Sequence, residues 1–186
     1  MEIQNSGRTD DAPSYEAMQR PTLSDGVITL RAPRATDLDR ITTSAQDPET
    51  QRWALALPRP YQREHAVQFL ALTEAEARAG TGHSFVAADG EDRVIAALRV
   101  GADGEIGYWV VPDARGRGVA TRAVTLLRDW AHDELRLDRM AMQIHPDNVV
   151  SCRVAEKAGF VDTGERRIPD RGQDPDPHAI YVWSAA

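Results

Sequence analysis

Cysteine occurs once, at Cys152, so no disulfide can form within the chain. The five histidines are scattered, and no Cys/His grouping has the spacing of a zinc site, so no metal is expected. Nothing approaches the ~18 consecutive apolar residues of a membrane span. The opening stretch MEIQNSGRTDDAPSYE has neither the basic nor the apolar region of a secretory signal. The expected location is therefore the cytoplasm, with no membrane partner. Positive charge is in the minority, 22 Lys and Arg against 29 Asp and Glu, for a formal net charge of -7. That balance excludes a broadly basic surface and, with it, nucleic acid as the main partner.

What remains is the composition of a soluble globular protein: 41% hydrophobic and 27% charged over 186 residues. A chain of this length suits one domain, able to bury roughly 70% of its unfolded surface. Residues 1–21 are polar and aperiodic and read as a flexible arm; residues 22–186 read as a single domain. In the segment from Gly26, Val27, Thr29 and Arg31 alternate with Ile28 and Leu30, as in a strand. Thr36 to Asp39 fits a capping box opening a helix from Asp37 to about Ser44. Pro48, Pro58 and Pro60 break up the next stretch before a helical pattern resumes from Glu64 to Arg78. Three apolar runs, His83–Ala88, Val94–Val100 and Glu105–Val111, are separated by turn residues and predict consecutive antiparallel strands. Ala120, Ala123, Val124, Leu127, Trp130 and Ala131 then recur at helical spacing. A strand at Met140–His145, a helix from Asn148 to Ala158 stopped by Gly159, and strands at Phe160–Arg167 and Ala179–Ser184 complete the order. The pattern predicts an α/β class, α+β in arrangement: a mixed, mostly antiparallel sheet of about seven strands with helices on both faces.

The stretch RGRGVATRAVTLLRDW places Gly116 and Gly118 directly before an apolar helix beginning near Val119. Glycines there let the backbone approach a ligand, and a helix N-terminus offers unpaired N–H groups, so the expected guest is an anion such as a phosphate. Arg115, Arg117 and Arg122 add positive charge nearby, or are simply solvated side chains of a plain loop. A Walker loop is excluded because no Gly-Lys-Ser/Thr follows the first glycine at the required spacing. The Rossmann fingerprint fails because Thr121 occupies its third glycine position and antiparallel strands precede the loop.

Arg115-Gly116-Arg117-Gly118-Val119-Ala120 resembles the Gln/Arg-x-x-Gly-x-Gly/Ala signature of the GNAT superfamily of N-acyltransferases. EIGYWVVPDARGRGVAT is similar to that family's fourth strand and pyrophosphate loop, and HPDNVVSCRVAEKAGF to the end of its fifth strand and the following helix. The likeness runs from about Gly26 to Ser184. Together with TLRAPRATDLDRI, these segments resemble the Rim-type branch of ribosomal-protein N-terminal acetyltransferases and its bacterial relatives, which act on protein N-termini, small amines and antibiotics.

The resemblance implies an acetyl-coenzyme A dependent N-acetyltransferase in which the fourth and fifth strands splay around the pantetheine arm. By match, the coenzyme contacts are Trp109, Val110 and Val111 on the strand, and Arg115, Gly116, Arg117, Gly118, Val119, Ala120 and Thr121 in the loop. Asn148, Ser151 and Arg153 join them from the following helix. The Val111 N–H is the implied donor to the thioester carbonyl. Glu105 is the candidate base, or an ordinary turn carboxylate. Ser151 is the candidate hydrogen-bond donor to the departing thiolate, or a capping residue. The tyrosine that many members carry seven residues after the asparagine is absent; Ala155 stands there. Asn148 suits both a pantetheine contact and an N-cap. Cys152 reads as a small packing residue. Trp53, Tyr61 and His83 are expected to line the acceptor pocket, with Arg167, Asp170 and His178 from the segment before the last strand. The acidic charge favours a cationic acceptor, an amine or a protein N-terminus. A monomer or homodimer is expected. The rival readings are an acyl-coenzyme A-binding sensor that transfers little, and a dinucleotide-binding protein.

Overall fold

The computed structural model describes residues 20–170 and 175–185; residues 1–19 of the expected arm over 1–21, and part of the segment before the last strand, lie outside them. In chain order the elements are β1 (Leu23–Ser24), β2 (Thr29–Arg31), α1 (Leu38–Ala45), α2 (Pro48–Trp53), α3 (Arg63–Ala79), β3 (Gly82–Ala88), β4 (Val94–Gly101) and β5 (Ile106–Val110). Then come α4 (Val119–Leu135), β6 (Arg139–Ile144), α5 (Val149–Lys157), β7 (Val161–Arg167) and β8 (His178–Ser184). Short 3-10 turns precede α1 at Ala35–Asp37 and follow β5 at Pro112–Ala114.

Two sheets form rather than one of about seven strands: a five-stranded sheet ordered β1-β2-β3-β4-β5 and a three-stranded sheet ordered β6-β8-β7. Every pairing inside them is antiparallel. Among the described residues the sheets are joined at one isolated parallel bridge, Glu105 to Ala141, where the Ala141 N–H donates to the Gly104 carbonyl over 3.0 Å. Past that point β5 and β6 share no ladder. Their C-terminal ends therefore stand apart, with the glycine loop following one and α5 following the other.

The period of two along β5 sorts its side chains between two cores. Ile106 lies with Phe85, Leu98, Val124, Leu127 and Trp130 in a large core under α4, and Tyr108 packs against the same cluster. Trp109, one residue on, also packs against a smaller core of Leu38, Ile41, Ala45, Tyr61, Ala66, Val86 and Ala97 under α1 and α3. Helices thus cover both faces, as the apolar periodicity requires.

The α1 entry differs from the expected capping box. Asp37 is the N-cap of α1 but gives that helix no side-chain bond; its carboxylate instead accepts from the N–H of Arg34, the cap of the preceding 3-10 turn, over 2.7 Å. The buried Arg31 guanidinium holds the same carboxylate at 2.8 and 3.0 Å. Helix α2 was not legible as a helix in the proline-broken stretch. Asp47 caps it, accepting from the Thr50 N–H at 2.8 Å, and Pro48 sits in its first turn, where a missing N–H costs nothing.

The bridge depends on Gly104. Its φ is +80°, and a Cβ there would lie 2.5 Å from the Arg139 carbonyl oxygen. Gly104→Ala is expected to cost about 1–3 kcal/mol and to lower the melting temperature by about 3–10 °C. Gly107→Ala, where a Cβ meets nothing within 4 Å, serves as the control on the same strand. Equal melting temperatures for the two variants in a calorimetric scan would show that the strands have room to part at Gly104.

Candidate active site

The loop after β5 takes its shape from two left-handed glycines, Gly116 at φ +74° and Gly118 at φ +75°, and the space above both is open. Gly118 is the N-cap of α4 and supplies no side chain to the helix end. The first helical bond of α4 is Arg122 N–H to Gly118 carbonyl, 3.2 Å. The amides of Val119, Ala120 and Thr121 therefore have no helical acceptor and, with the dipole of a 17-residue helix behind them, face the open side of the loop.

The arginines do not all join them. Arg115 turns back, placing Nη2 2.5 Å from Asp47 Oδ2 and 2.8 Å from Thr50 Oγ1, with Nε donating to the Val110 carbonyl at 3.3 Å. Burial pushes the Asp47 carboxyl up, but the Arg115 guanidinium and the Thr50 N–H outweigh it and hold that carboxyl below its ordinary range. Arg122 is paired with Asp25 at 2.7 Å. Of the three expected cations, Arg117 is exposed and forms no ion pair among the described residues.

The wall of the slot corrects one expectation. The Val111 N–H donates to the Ile95 carbonyl over 3.0 Å, so it is consumed by β4 and unavailable to a thioester. The β4–β5 register pairs Ala97 with Trp109 and Ala96 with Val110. Hydrogen-bonded pairs alternate with non-bonded ones, so Trp109 and Val111 point their amides at β4. Those of Tyr108 and Val110 point toward β6, into the gap between the sheets.

A tyrosine is present at this gap after all, from a different element. Tyr108 Oη lies 2.9 Å from Ser151 Oγ in the first turn of α5, and burial pushes the phenol up to about 12. Ala155, at the position of the expected family tyrosine, is fully buried. The Ser151 N–H donates to Asn148 Oδ1 at 3.1 Å, so Asn148 is the N-cap of α5. Cys152 lies beside the Tyr181 hydroxyl, and the neighbouring thiol pushes that phenol upward. Arg153 is exposed. Sequence reasoning missed Tyr108, although its parity with Ile106 was readable.

On the other face of β5, Trp109 and Tyr61 line an apolar cavity of about 40 Å³ with Ile41, Ala45, Leu57 and Phe69. Nearby in sequence, Trp53 at the end of α2 has its ring centroid 5.4 Å from that of His145, which lies 5.3 Å from His178. His145 was not singled out from the sequence; it accepts the Asp147 N–H on Nδ1 at 3.1 Å and has Nε2 3.7 Å from Asp176 Oδ2. Glu105 is exposed at the vertex where the sheets meet. Arg167 is paired with Glu165, and Asp170 is exposed. His83 does not join the acceptor side. It is 3% exposed and packs edge-on against Trp130 of α4 at 5.2 Å, in the opposite core, because its parity on β3 matches Phe85. Burial and the nearby Arg20 and Arg99 push its imidazole down. No group of three or more His, Cys, Asp or Glu able to hold a metal occurs among the described residues, and no helix of theirs is long and apolar enough to cross a membrane.

A family model described as acetyltransferase (GNAT) domain matches residues 28–161, well over half of the chain. The chain belongs to the GNAT acetyltransferase family. Over 62 residues it is 44% identical to "Probable N-acetyltransferase YjcK" of Bacillus subtilis, an alignment covering 33% of this chain and 34% of that relative. The matched part thus spans about a third of the curated relative's length. Among solved structures, Mycobacterium smegmatis RimJ in complex with CoA-disulfide superposes with a TM-score of 0.76 at 23% identity, over 89% of this chain and 86% of that one. Spermidine N-acetyltransferase from Vibrio cholerae, in complex with CoA and spermine, gives 0.66 at 17% identity, over 83% and 92%. At these identities the likeness is one of fold: a GNAT sheet arrangement, to which this chain's own glycine loop and parted strands conform.

In this GNAT chain the first position of the loop signature is a tether rather than a free cation, since Arg115 ties the loop to the α2 cap. Asp47→Ala removes both the cap and the tether and is expected to cost about 1–2 kcal/mol in urea unfolding at pH 7. A carboxyl held below its ordinary value stabilises the fold above that ordinary value, near 3.9. That contribution fades as the pH falls through the lowered value. The gap between wild type and variant should therefore be full at neutral pH and shrink in acid; a gap that widens in acid would refute the assignment.

Proposed function

We propose that this chain transfers an acetyl group from acetyl-coenzyme A to a primary amine by direct attack, acting in the cytoplasm. The observation that carries the reading is the parted pair β5 and β6, with free amides at both ends of the gap: Val119 to Thr121 at its mouth and Val110 on its wall. Acetyl-coenzyme A supplies an activated acyl thioester. The open cradle at Gly116 and Gly118 fits a diphosphate, because nothing stands within 4 Å of either missing Cβ. Arg117 adds charge there, while Asn148 and Arg153 lie toward the pantetheine side on α5. The Val110 N–H, rather than that of Val111, is placed to polarise a carbonyl in the gap.

Glu105 and Trp109 share a face of β5, toward α1 and α3, and Tyr108 with Ser151 occupies the opposite one. The acceptor amine then approaches from the Trp109 side, near Tyr61, Trp53, His145 and His178. Glu105 takes its proton through water, while Ser151 Oγ–H donates to the departing sulfur on the far side. An amine acceptor is favoured because one solved relative is a spermidine N-acetyltransferase, and the net charge of -7 attracts cations.

Thiol release from acetyl-coenzyme A tests this with spermidine, spermine and an alanine-starting peptide, each against its N-acetylated form as a blocked control. Release with at least one free amine and none with its blocked form is expected. Binding by calorimetry without amine-dependent release would overturn transfer in favour of a sensor, and NAD binding in place of acetyl-coenzyme A would overturn the site itself. Gly118→Glu, which sets a carboxylate before the α4 amides, should weaken acetyl-coenzyme A at least about tenfold, the loss of one charge-assisted contact or more. Unchanged affinity in the folded variant would remove the loop from the site.

A further inference from the structure

The polar groups at the gap are few, and one pair is not accounted for by binding. Tyr108 Oη and Ser151 Oγ lie 2.9 Å apart and connect β5, in one sheet, to α5, which follows β6 of the other. Each hydroxyl carries one proton, and the direction of the bond decides where the second proton points. Tyr108 packs against the large core, and Ser151 is its hydrogen-bond partner among the described residues. If Ser151 donated, the phenolic proton would be left without an acceptor in an apolar setting, the costlier way to leave a buried hydroxyl. Tyr108 therefore donates. The Ser151 proton is then free to point away from Tyr108, and the Ser151 N–H, held by Asn148 Oδ1 at 3.1 Å, fixes the residue's backbone.

We infer that Tyr108 is a positioning residue for the leaving group: its hydroxyl donates to Ser151 Oγ and thereby directs the Ser151 O–H proton at the sulfur of coenzyme A. The proposal rests on the transferase reading above. During transfer the amine nitrogen bonds to the acetyl carbon, the C–S bond breaks, and its electron pair stays on sulfur. The proton lost by the amine passes through water to Glu105. Ser151 donates a hydrogen bond to the thiolate without giving up its proton, and Tyr108 keeps its own, consistent with a phenol pushed up to about 12. The thiol is completed by solvent on release. Tyr108 thus replaces, from a strand, part of what Ala155 cannot supply from α5.

The test uses coenzyme A itself, whose bound thiol reports the donor without any acceptor amine. Other titratable groups close to the pair are the Cys152 thiol and the Tyr181 hydroxyl beside it, with Asp162, Glu156 and Arg166 within electrostatic reach of these. The measurement is therefore made in a Cys152→Ser background, as the ultraviolet difference absorbance of the bound thiolate against pH. The bound thiol should ionise more readily than free coenzyme A. Tyr108→Phe, which keeps the ring, should lower its acid constant by a factor of about 3 to 10, the worth of one hydrogen bond. Ser151→Ala should lower it at least as much, and adding Tyr108→Phe to Ser151→Ala should change it no further. Calorimetric affinity of Tyr108→Phe for coenzyme A should stay within about threefold of its parent, since Tyr108 itself does not touch the coenzyme, whereas Ser151→Ala removes a contact to the sulfur and is expected to weaken binding. A shift with Ser151→Ala but none with Tyr108→Phe overturns the inference, as does additivity in the double variant. Coenzyme A bound with an unshifted thiol in the parent also overturns it while leaving the site intact. Failure of the parent to bind coenzyme A overturns both.

Discussion

A buried backbone amide without a partner costs roughly 1–3 kcal/mol, so a sheet normally consumes every one it encloses. Here two antiparallel sheets meet at a single parallel bridge, Glu105 to Ala141, and then part. From that contact onward β5 satisfies one edge against β4 and leaves the other facing a gap. The open edge is tolerable only where water or a ligand can reach it. The bridge itself exists because Gly104 has no Cβ to collide with the Arg139 carbonyl. One glycine therefore decides both that the sheets touch and where they stop touching. The slot, the exposed amides at Tyr108 and Val110, and the positions of the two following helices all descend from it.

Most of the local positive charge has structural employment. Arg115 secures the loop to α2 through Asp47 and Thr50, Arg122 is paired with Asp25, and Arg40 grips both oxygens of Asp113 in the turn before the loop. What faces the opening is mainly backbone: three amides and the end of a helix dipole. Such groups hold a diphosphate by geometry and are less weakened by salt than solvated side chains. A loop fastened at Arg115 and Asp113 also spends little entropy on binding, because its amides are already aimed.

The elements were legible in the sequence wherever a single period ran long enough. Helix α4 begins at Val119 as the apolar spacing required, and β3, β4 and β6 fall within a residue or two of their apolar runs. Helix α2 was not, because six residues with a proline at the start carry too little periodicity; the Asp47-Pro48 pair was the usable signal. The glycine loop was legible because φ above zero demands a residue type. Parity was harder. Val111 differs from Val110 by one position, yet register gives one amide to β4 and the other to the gap, and register is a property of two strands. His83 failed for the same reason: whether it faces α3 or Trp130 depends on which way β3 pairs, not on its own neighbours in sequence. Tyr108 and His145 needed tertiary contacts, since Ser151 and Trp53, their partners, lie on other elements.

The same period of two sets how the chemistry can be divided. A strand presents neighbouring residues to opposite sides, so Trp109 packs toward the core under α1 and α3 while Tyr108 reaches Ser151 on the other. Attack on a carbonyl comes over one face of the trigonal carbon, roughly perpendicular to the plane that holds the leaving group, so nucleophile and leaving group need separate surroundings. A carbonyl held by the Val110 amide lies between those two faces, with Glu105 sharing the side of Trp109. In the proposed transfer, a water serving Glu105 would stand on the Trp109 side, across the strand from Ser151. In an all-helical site, residues at adjacent positions diverge by only about 100°, and such a partition would require a second helix. Here one five-residue strand, opened along one edge, suffices.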